Sequence, residues 1–323
     1  MIALGWFVAG IALLIVGAEV VVRRGSMLAA RLGVPPMVIG VTIVAIGTSA
    51  PELAIGIEAA LEGNGSLAVG NVAGTNTVNI LFILGLSAAI DPLTLTVQTL
   101  RSALPLMVTA ALVLLAMAWD GVLSRAEGLL LVAGAVLYST AIVYSTRRES
   151  RAVRAEFAQE YGTPRRGYDS REVVTSLAAL TAGIVTIVVG ADWLVDGAVD
   201  LARLLGVSDA FIGLTIVAIG TSSPELVTAV VATMKKERDI AVGNLLGSSV
   251  YNIVLILGVT CLVPSSGILV EPALVRVDIP VMTAVALVAV PVFVSGRQVS
   301  RLEGALFVSA YIAYLAYLVL ART

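Results

Sequence analysis

Ten stretches of largely apolar residues fill this sequence, at approximately 2–22, 35–60, 67–90, 102–119, 125–146, 174–195, 208–234, 240–262, 275–294 and 300–320. A helix needs about 20 such residues to cross the hydrocarbon of a bilayer, so each stretch is read as a transmembrane span. Composition agrees. The chain is 59% hydrophobic and 13% charged, with mean hydropathy +1.01, where a soluble domain carries roughly a quarter charged residues. The expected fold class is an all-α integral membrane protein of ten transmembrane helices. The first span has no basic residue before it and is too long for a signal-peptide core, so it is read as a retained helix.

The residue inventory excludes several chemistries. There is no histidine and a single cysteine, Cys261. A histidine proton relay, a classical zinc site, a Ser/His catalytic pair and an internal disulfide are all removed, and Cys261 reads as a buried filler. Orientation follows the basic residues, which concentrate in cytoplasmic loops. With successive loops assigned to alternate sides, four of the 20 Lys and Arg (Arg125, Arg203, Arg276 and Arg322) fall on one side and the other sixteen on the opposite one. The richer side is read as cytoplasmic, giving a multi-pass protein of the cell membrane with both termini extracytoplasmic. The polar stretch 147–172 contains seven arginines and reads as a solvated cytoplasmic linker, too short for a regulatory domain.

The chain is also duplicated. Residues 43–53 read IVAIGTSAPEL and residues 216–226 read IVAIGTSSPEL, identical at ten of eleven positions. At the same offset of 173, Gly17 aligns with Gly190, Gly70 with Gly243 and Asn79 with Asn252, and GNVAGTNTVNILFILG (70–85) matches GNLLGSSVYNIVLILG (243–258) at eight of sixteen positions. LSRAEG (123–128) matches VSRLEG (299–304) at offset 176. Each half holds five spans, and because five is odd the second half enters the membrane in the opposite sense. The expected organisation is a first repeat over 1–146, the linker over 147–172 and a second repeat over 173–323. Such inverted repeats place transport sites near the midplane, where the halves meet.

The repeated motif carries oxygen. Proline has no backbone donor, so Pro51 is expected to free the carbonyl of Gly47 and Pro224 that of Gly220, breaking both helices. Unwound backbone at membrane depth is tolerated only where it is buried in protein or lines a cavity. Glu52 follows Thr48 by four residues and Ser49 by three, a spacing that puts all three on one helical face. Glu225, Thr221 and Ser222 repeat it. Thr75 with Asn79, and Ser248 with Asn252, add further pairs four residues apart. Hard cations take such all-oxygen sets, Ca²⁺ with six to eight ligands; one half cannot supply that many, but two facing halves can. A charged side chain in mid-membrane costs roughly 2.5–3.5 kcal/mol even on the lenient insertion scale, and is by default a functional candidate.

Blander roles compete for the neighbouring residues. Ser and Thr in membrane helices commonly bond back to their own backbone, and Asn79 and Asn252 could serve as glue between helices. Asn76 and Ser249, one step off the matched face, are read as structural. Glu19, Asp192, Asp196 and Asp200 lie near span ends and read as interfacial. Gly70, Gly74, Gly243 and Gly247 have the small-xxx-small spacing of close helix packing.

The pair GTSAPEL and GTSSPEL, each followed by GN-x-x-G-T/S-x-x-x-NI, resembles the two alpha-repeats of the sodium/calcium exchanger family within the cation/calcium antiporter superfamily. The likeness covers nearly the whole chain and is to the compact prokaryotic type. It implies a Na⁺/Ca²⁺ antiporter, not an enzyme, working by alternating access and exporting Ca²⁺. Both ions would compete for sites between spans 2, 3, 7 and 8 while spans 1 and 6 slide across them. Carried over by motif position, Glu52, Glu225, Thr48 and Thr221 would ligate Ca²⁺. Sodium sites would add Ser49, Ser222, Thr75 and Ser248, with backbone oxygens near Ala45 and Ala218. One departure is evident. Many members of the family carry an aspartate where this chain has Asn252, so both Asn79 and Asn252 are amides here, and Thr75 replaces a more usual serine. Two carboxylates still balance one Ca²⁺, and the missing third argues against K⁺ dependence.

The transported ions are the expected partners, together with the bilayer; no cofactor, nucleic acid or obligatory protein partner is expected. The alternative within the same superfamily is Ca²⁺/H⁺ or other cation exchange, since glutamates also carry protons. An intramembrane hydrolase using Glu52 and Glu225 as acid and base is disfavoured, because equivalent surroundings would not push their pKa values apart. A passive channel is the remaining alternative.

Overall fold

Residues 2–34 contain no proline, and the first helix runs unbroken over Ile2–Leu32 (α1) until Gly33, at φ 66°, and Pro35–Pro36 end it. The computed structural model describes residues 2–95, 103–147, 170–205 and 218–322. The other helices are Pro36–Thr48 (α2), Ala50–Leu61 (α3), Gly65–Ile90 (α4), Leu104–Met117 (α5), Arg125–Arg147 (α6) and Ser170–Leu204 (α7). They are followed by Ala218–Thr221 (α8), Ser223–Met234 (α9), Arg238–Leu262 (α10), Leu274–Val294 (α11) and Arg301–Arg322 (α12). Among the described residues seven helices are long and apolar enough to cross a membrane, eight when the bent pair α2–α3 is taken as one span. The protein is thus an all-helical, multi-span membrane protein. The linker residues 148–169 and the first part of the expected span 7, 208–217, lie outside the described residues.

Two expected boundaries are corrected. α1 has 31 residues and α7 has 35, where 2–22 and 174–195 were expected. At 1.5 Å per residue α1 is about 46 Å long, more than the roughly 30 Å hydrocarbon layer. Arg23 and Arg24 therefore lie in the body of α1 and Arg31 in its last turn, and Asp192, Asp196 and Asp200 form an exposed stripe inside α7. Arginine is a good helix former, so charge marked where the helix leaves lipid and not where it ends. Two miniature antiparallel ladders also appear among the connections: Leu93–Thr94 (β1) pairs with Gln298–Val299 (β4), and Val122–Leu123 (β2) with Ile268–Leu269 (β3).

The halves exchange partners in matching pairs. β1 of the first half joins β4 of the second, while β2 of the first joins β3 of the second. Glycines do the same. A Cβ at Gly17 would lie 2.8 Å from the Gly183 carbonyl, and one at Gly190 would lie 3.0 Å from that of Gly10, so α1 and α7 cross backbone to backbone. Gly85 meets Gly304 and Gly128 meets Gly258 in the same way, a Cβ at either first-half residue approaching the opposing carbonyl to 2.9 Å. Each contact is the other's equivalent at the repeat offset. Gly243 and Gly247 pack as expected, their hypothetical Cβ atoms falling 2.7 and 2.6 Å from the carbonyls of Met37 and Val41 on α2. For Gly70 and Gly74 the equivalent neighbours, near 210 and 214, lie outside the described residues. Cys261 is buried, as expected. The repeated S-R-x-E-G stretch proves to be a helix start: Ser124 and Glu127 form a reciprocal capping box at α6, and Ser300 and Glu303 form the same at α12.

Candidate cation site

α2 gives way to α3 at Ser49, whose ψ of 12° leaves the helical region, and α9 starts after Ser222 at ψ 6°. The axes of α2 and α3 diverge by 41°. The sequence reading is corrected here. Pro51 and Pro224 stand in the first turns of new helices, where a missing N–H removes a donor that had no intrahelical acceptor anyway. The motif is therefore inexpensive to fold. The break also means that Thr48, Ser49 and Glu52 do not share the face of one continuous helix. What it provides is a helix N-terminus beside each carboxylate, with Glu52 and Glu225 each in a first turn, where the helix dipole favours negative charge.

Two further irregularities bring the second motif to this point. α4 contains a π-helical stretch at Val78–Leu84 and α10 one at Asn252–Leu257; such stretches re-aim side chains and occur often at functional sites. They sit at equivalent places and carry Asn79 and Asn252. α3 packs against the π stretch of α10, and α9 against that of α4. Each carboxylate-bearing helix thus lies beside the amide of the opposite half.

The polar contacts interleave the halves. Ser49 Oγ donates to Glu225 Oε1 at 3.2 Å, and Ser248 Oγ lies 3.4 Å from the same oxygen. Ser248 Oγ is also 3.4 Å from the carbonyl of Ala45, as is Thr48 Oγ1. Thr48 Oγ1 donates to Asn244 Oδ1 at 3.2 Å. Of the expected ligands, Thr48, Ser49, Ser248, Glu225 and the Ala45 carbonyl are joined by these contacts. Glu52, Asn79, Asn252, Thr75 and Ser222 are buried around them. Thr221 is partly buried, and Ala218 opens α8 at the edge of the described residues.

Several buried oxygens here have no donor among the described residues: both of Glu52, Oε2 of Glu225, Oγ of Ser222, Oδ1 of Asn79 and Oδ1 of Asn252. Buried polar atoms are normally satisfied, and unsatisfied ones call for a physical cause. Oxygens of this kind are the ligands that hard cations take. Among the described residues no three His, Cys, Asp or Glu side chains gather. Asn244 was missed by sequence reasoning, although Asn71 and Asn244 are matched in the repeated GN pair; each has a buried amide nitrogen without a partner. The single motif mismatch, Ala50 against Ser223, adds one more buried hydroxyl without a partner. Asn76 has a structural contact, as expected, donating to the Ser249 carbonyl at 2.9 Å.

Comparison with known proteins adds the following. The chain matches the family described as sodium/calcium exchanger protein over residues 2–144 and 175–320. It is 36% identical to the inner membrane protein YrbG of Escherichia coli, over 98% of this chain and 97% of that one. It is 31% identical to the sodium/calcium exchanger MaX1 of Methanosarcina acetivorans, with 96% of each covered. Among solved structures it is similar to the sodium-calcium exchanger NCX_Mj, with TM-score 0.83 and 28% identity over 98% of both chains.

Proposed function

The chain belongs to the sodium/calcium exchanger family of membrane cation/calcium antiporters, and from that premise we propose that it exchanges Na⁺ for Ca²⁺ by alternating access, in the direction of Ca²⁺ export. The observation that carries the reading is the set of buried oxygens without protein donors between two broken helices. Glu52 and Glu225 supply two negative charges for one Ca²⁺, with Thr48 and Thr221 beside them. Na⁺ occupies overlapping positions that add Ser49, Ser222, Thr75 and Ser248, the carbonyls of Ala45 and Ala218, and the amide oxygens of Asn79 and Asn252. Both ions are cargo. Competition follows from shared ligands: the oxygens that hold one Ca²⁺ are redistributed among Na⁺ ions, so the two loads exclude each other.

The frame proposed for this site is ten spans in two oppositely inserted repeats, 1–146 and 173–323, joined by a cytoplasmic linker over 147–172, with both termini outside. The exchange of partners between β1–β4 and β2–β3 supports that symmetry. So does the reciprocal glycine crossing of α1 and α7. That pair packs as one body over the broken helices, α1 lying along α9, and is the element whose displacement opens the site to one side or the other.

The test is ⁴⁵Ca²⁺ uptake into proteoliposomes containing the full chain, driven by an outward Na⁺ gradient at equal pH, then by a pH gradient without Na⁺. Uptake that follows Na⁺ is expected. Uptake driven fully by the pH gradient alone would replace this reading by Ca²⁺/H⁺ exchange, and flux without accumulation would indicate a channel.

A further inference from the structure

Asn252 stands where an amide can face the cation with either end, and only one end is useful. The carbonyl oxygen is a ligand; the NH₂ group is a donor that repels a cation. What decides between them lies one residue further out. Asn76 Nδ2 is 2.9 Å from the backbone carbonyl of Ser249 and 3.7 Å from Met282 Sδ. Both neighbours are acceptors and neither can donate, so Asn76 must turn its NH₂ toward them. That leaves Asn76 Oδ1 directed the other way, 3.0 Å from Asn252 Nδ2. An oxygen there accepts only from an N–H, so Asn252 must turn its own NH₂ toward Asn76. Its Oδ1 is left on the far side, buried and with no donor among the described residues. A main-chain carbonyl, which cannot be flipped, thus sets two amides in series.

We infer that Asn76 is a positioning residue that holds Asn252 with its carbonyl oxygen toward the transported cation. The inference rests on the reading of Asn252 as an ion ligand given above. The symmetry of the fold supports a dedicated role. Asn76 borders a small cavity lined by equivalent residues of the two halves, among them Ile80 with Ile253 and Met107 with Met282. At the polar position of this lining the halves differ, with Asn76 against Ser249. The Ser249 hydroxyl bonds back to its own helix at the Leu245 carbonyl, 2.8 Å away, and Asn79 has no partner among the described residues on either amide atom. Among the described residues the Asn252 amide has such an orienting partner and the Asn79 amide has none. The same relay makes an aspartate at 252 a poor fit beside Asn76, because a carboxylate would set an acceptor against Asn76 Oδ1.

The test is Ca²⁺-dependent thermal stabilisation of the purified full chain in Na⁺-free detergent solution, titrated for the wild type, Asn76→Leu, Asn252→Asp and the double variant. Leucine keeps the shape of asparagine without its hydrogen bonds. Asn76→Leu is expected to raise the half-saturating Ca²⁺ about 10- to 100-fold, the range for losing an outer partner of a metal ligand. In the Asn252→Asp background the same replacement is expected to cost nothing, because a carboxylate has an oxygen at either end. Equal losses in both backgrounds would mean a merely structural role and overturn the proposal, as would no loss in the wild-type background. If Asn76→Leu does not fold, Asn76→Ala is read in the same two backgrounds. A wild type that Ca²⁺ does not stabilise at all would remove the ion-site reading itself, and this proposal with it.

Discussion

Ser49 donates its hydroxyl to Glu225, in the opposite half of the chain, at 3.2 Å, while Glu52, three residues along its own half, has no donor among the described residues on either oxygen. The site is therefore asymmetric despite its symmetric sequence. One carboxylate is held by Ser49 and Ser248, and on the reading proposed above the other is a ligand of the cargo.

That asymmetry separates two otherwise equivalent serines. A hydrogen bond to a charged group is worth about 1.5–3 kcal/mol. Ser49→Ala is expected to lower the thermal stability of the ion-free protein and to weaken Ca²⁺ binding about tenfold or more. Ser222, its equivalent, has a buried hydroxyl without a partner, so Ser222→Ala is expected to leave ion-free stability unchanged or slightly raised. Thermal unfolding of both variants without Na⁺ or Ca²⁺ checks this, and equal losses would contradict it.

The carboxylates themselves carry a sharper contrast. Two buried charges without a counter-ion destabilise an ion-free protein, and an isosteric amide removes one of them. Glu52→Gln is expected to raise the melting temperature in the absence of ions while abolishing both the stabilisation by Ca²⁺ and Na⁺-driven Ca²⁺ uptake. Glu225→Gln is expected to abolish transport as well, with a smaller gain in ion-free stability because Ser49 and Ser248 already address its charge. Normal transport in both variants would remove these residues from the site.

How much of this is legible in the amino-acid order differs by feature. The apolar runs and the repeat point to the membrane class and to Glu52 and Glu225, because an acid placed twice in mid-span is costly in lipid and by default a functional candidate. The position of the break is not legible. Proline within an apolar run suggests a damaged helix, whereas Ser49 and Ser222 begin new ones, a choice made by tertiary packing. The π-helical stretches at Val78–Leu84 and Asn252–Leu257 leave no trace in hydropathy. The roles of Asn244 and Asn76 escape a reading by local spacing because they depend on partners 196 and 176 residues away.

The repeated S-R-x-E-G stretch offers a control remote from the site. Ser300 Oγ and Glu303 satisfy one another's backbone donors at the start of α12, and loss of an N-cap hydroxyl costs about 1 kcal/mol. Ser300→Ala is expected to lower the melting temperature by a few degrees while half-saturating Ca²⁺ stays as in the wild type. A change in Ca²⁺ affinity would show that α12 is coupled to the site.

The last expectation concerns which side the site faces. Lys235 Nζ lies 2.6 Å from Glu19 Oε1, joining α1 to the end of α9, along which α1 packs. Among the described residues α7 makes at most a glancing contact with α3, the equivalent pairing. At the repeat offset of 173, Glu19 corresponds to Asp192 and Lys235 to Glu62. When the halves exchange roles, as alternating access requires, an attractive pair is thus replaced by two like charges. An exposed ion pair is worth about 0–1 kcal/mol, enough to bias the two arrangements by a factor of a few without locking either. Lys235→Glu is expected to loosen α1 from α9, seen as several-fold faster hydrogen exchange along Ser223–Met234. Glu62→Lys gives Asp192 a partner and is expected to increase protection along Ala50–Leu61. If exchange in both segments stays at the wild-type rate in both variants, these charges do not set the position of α1.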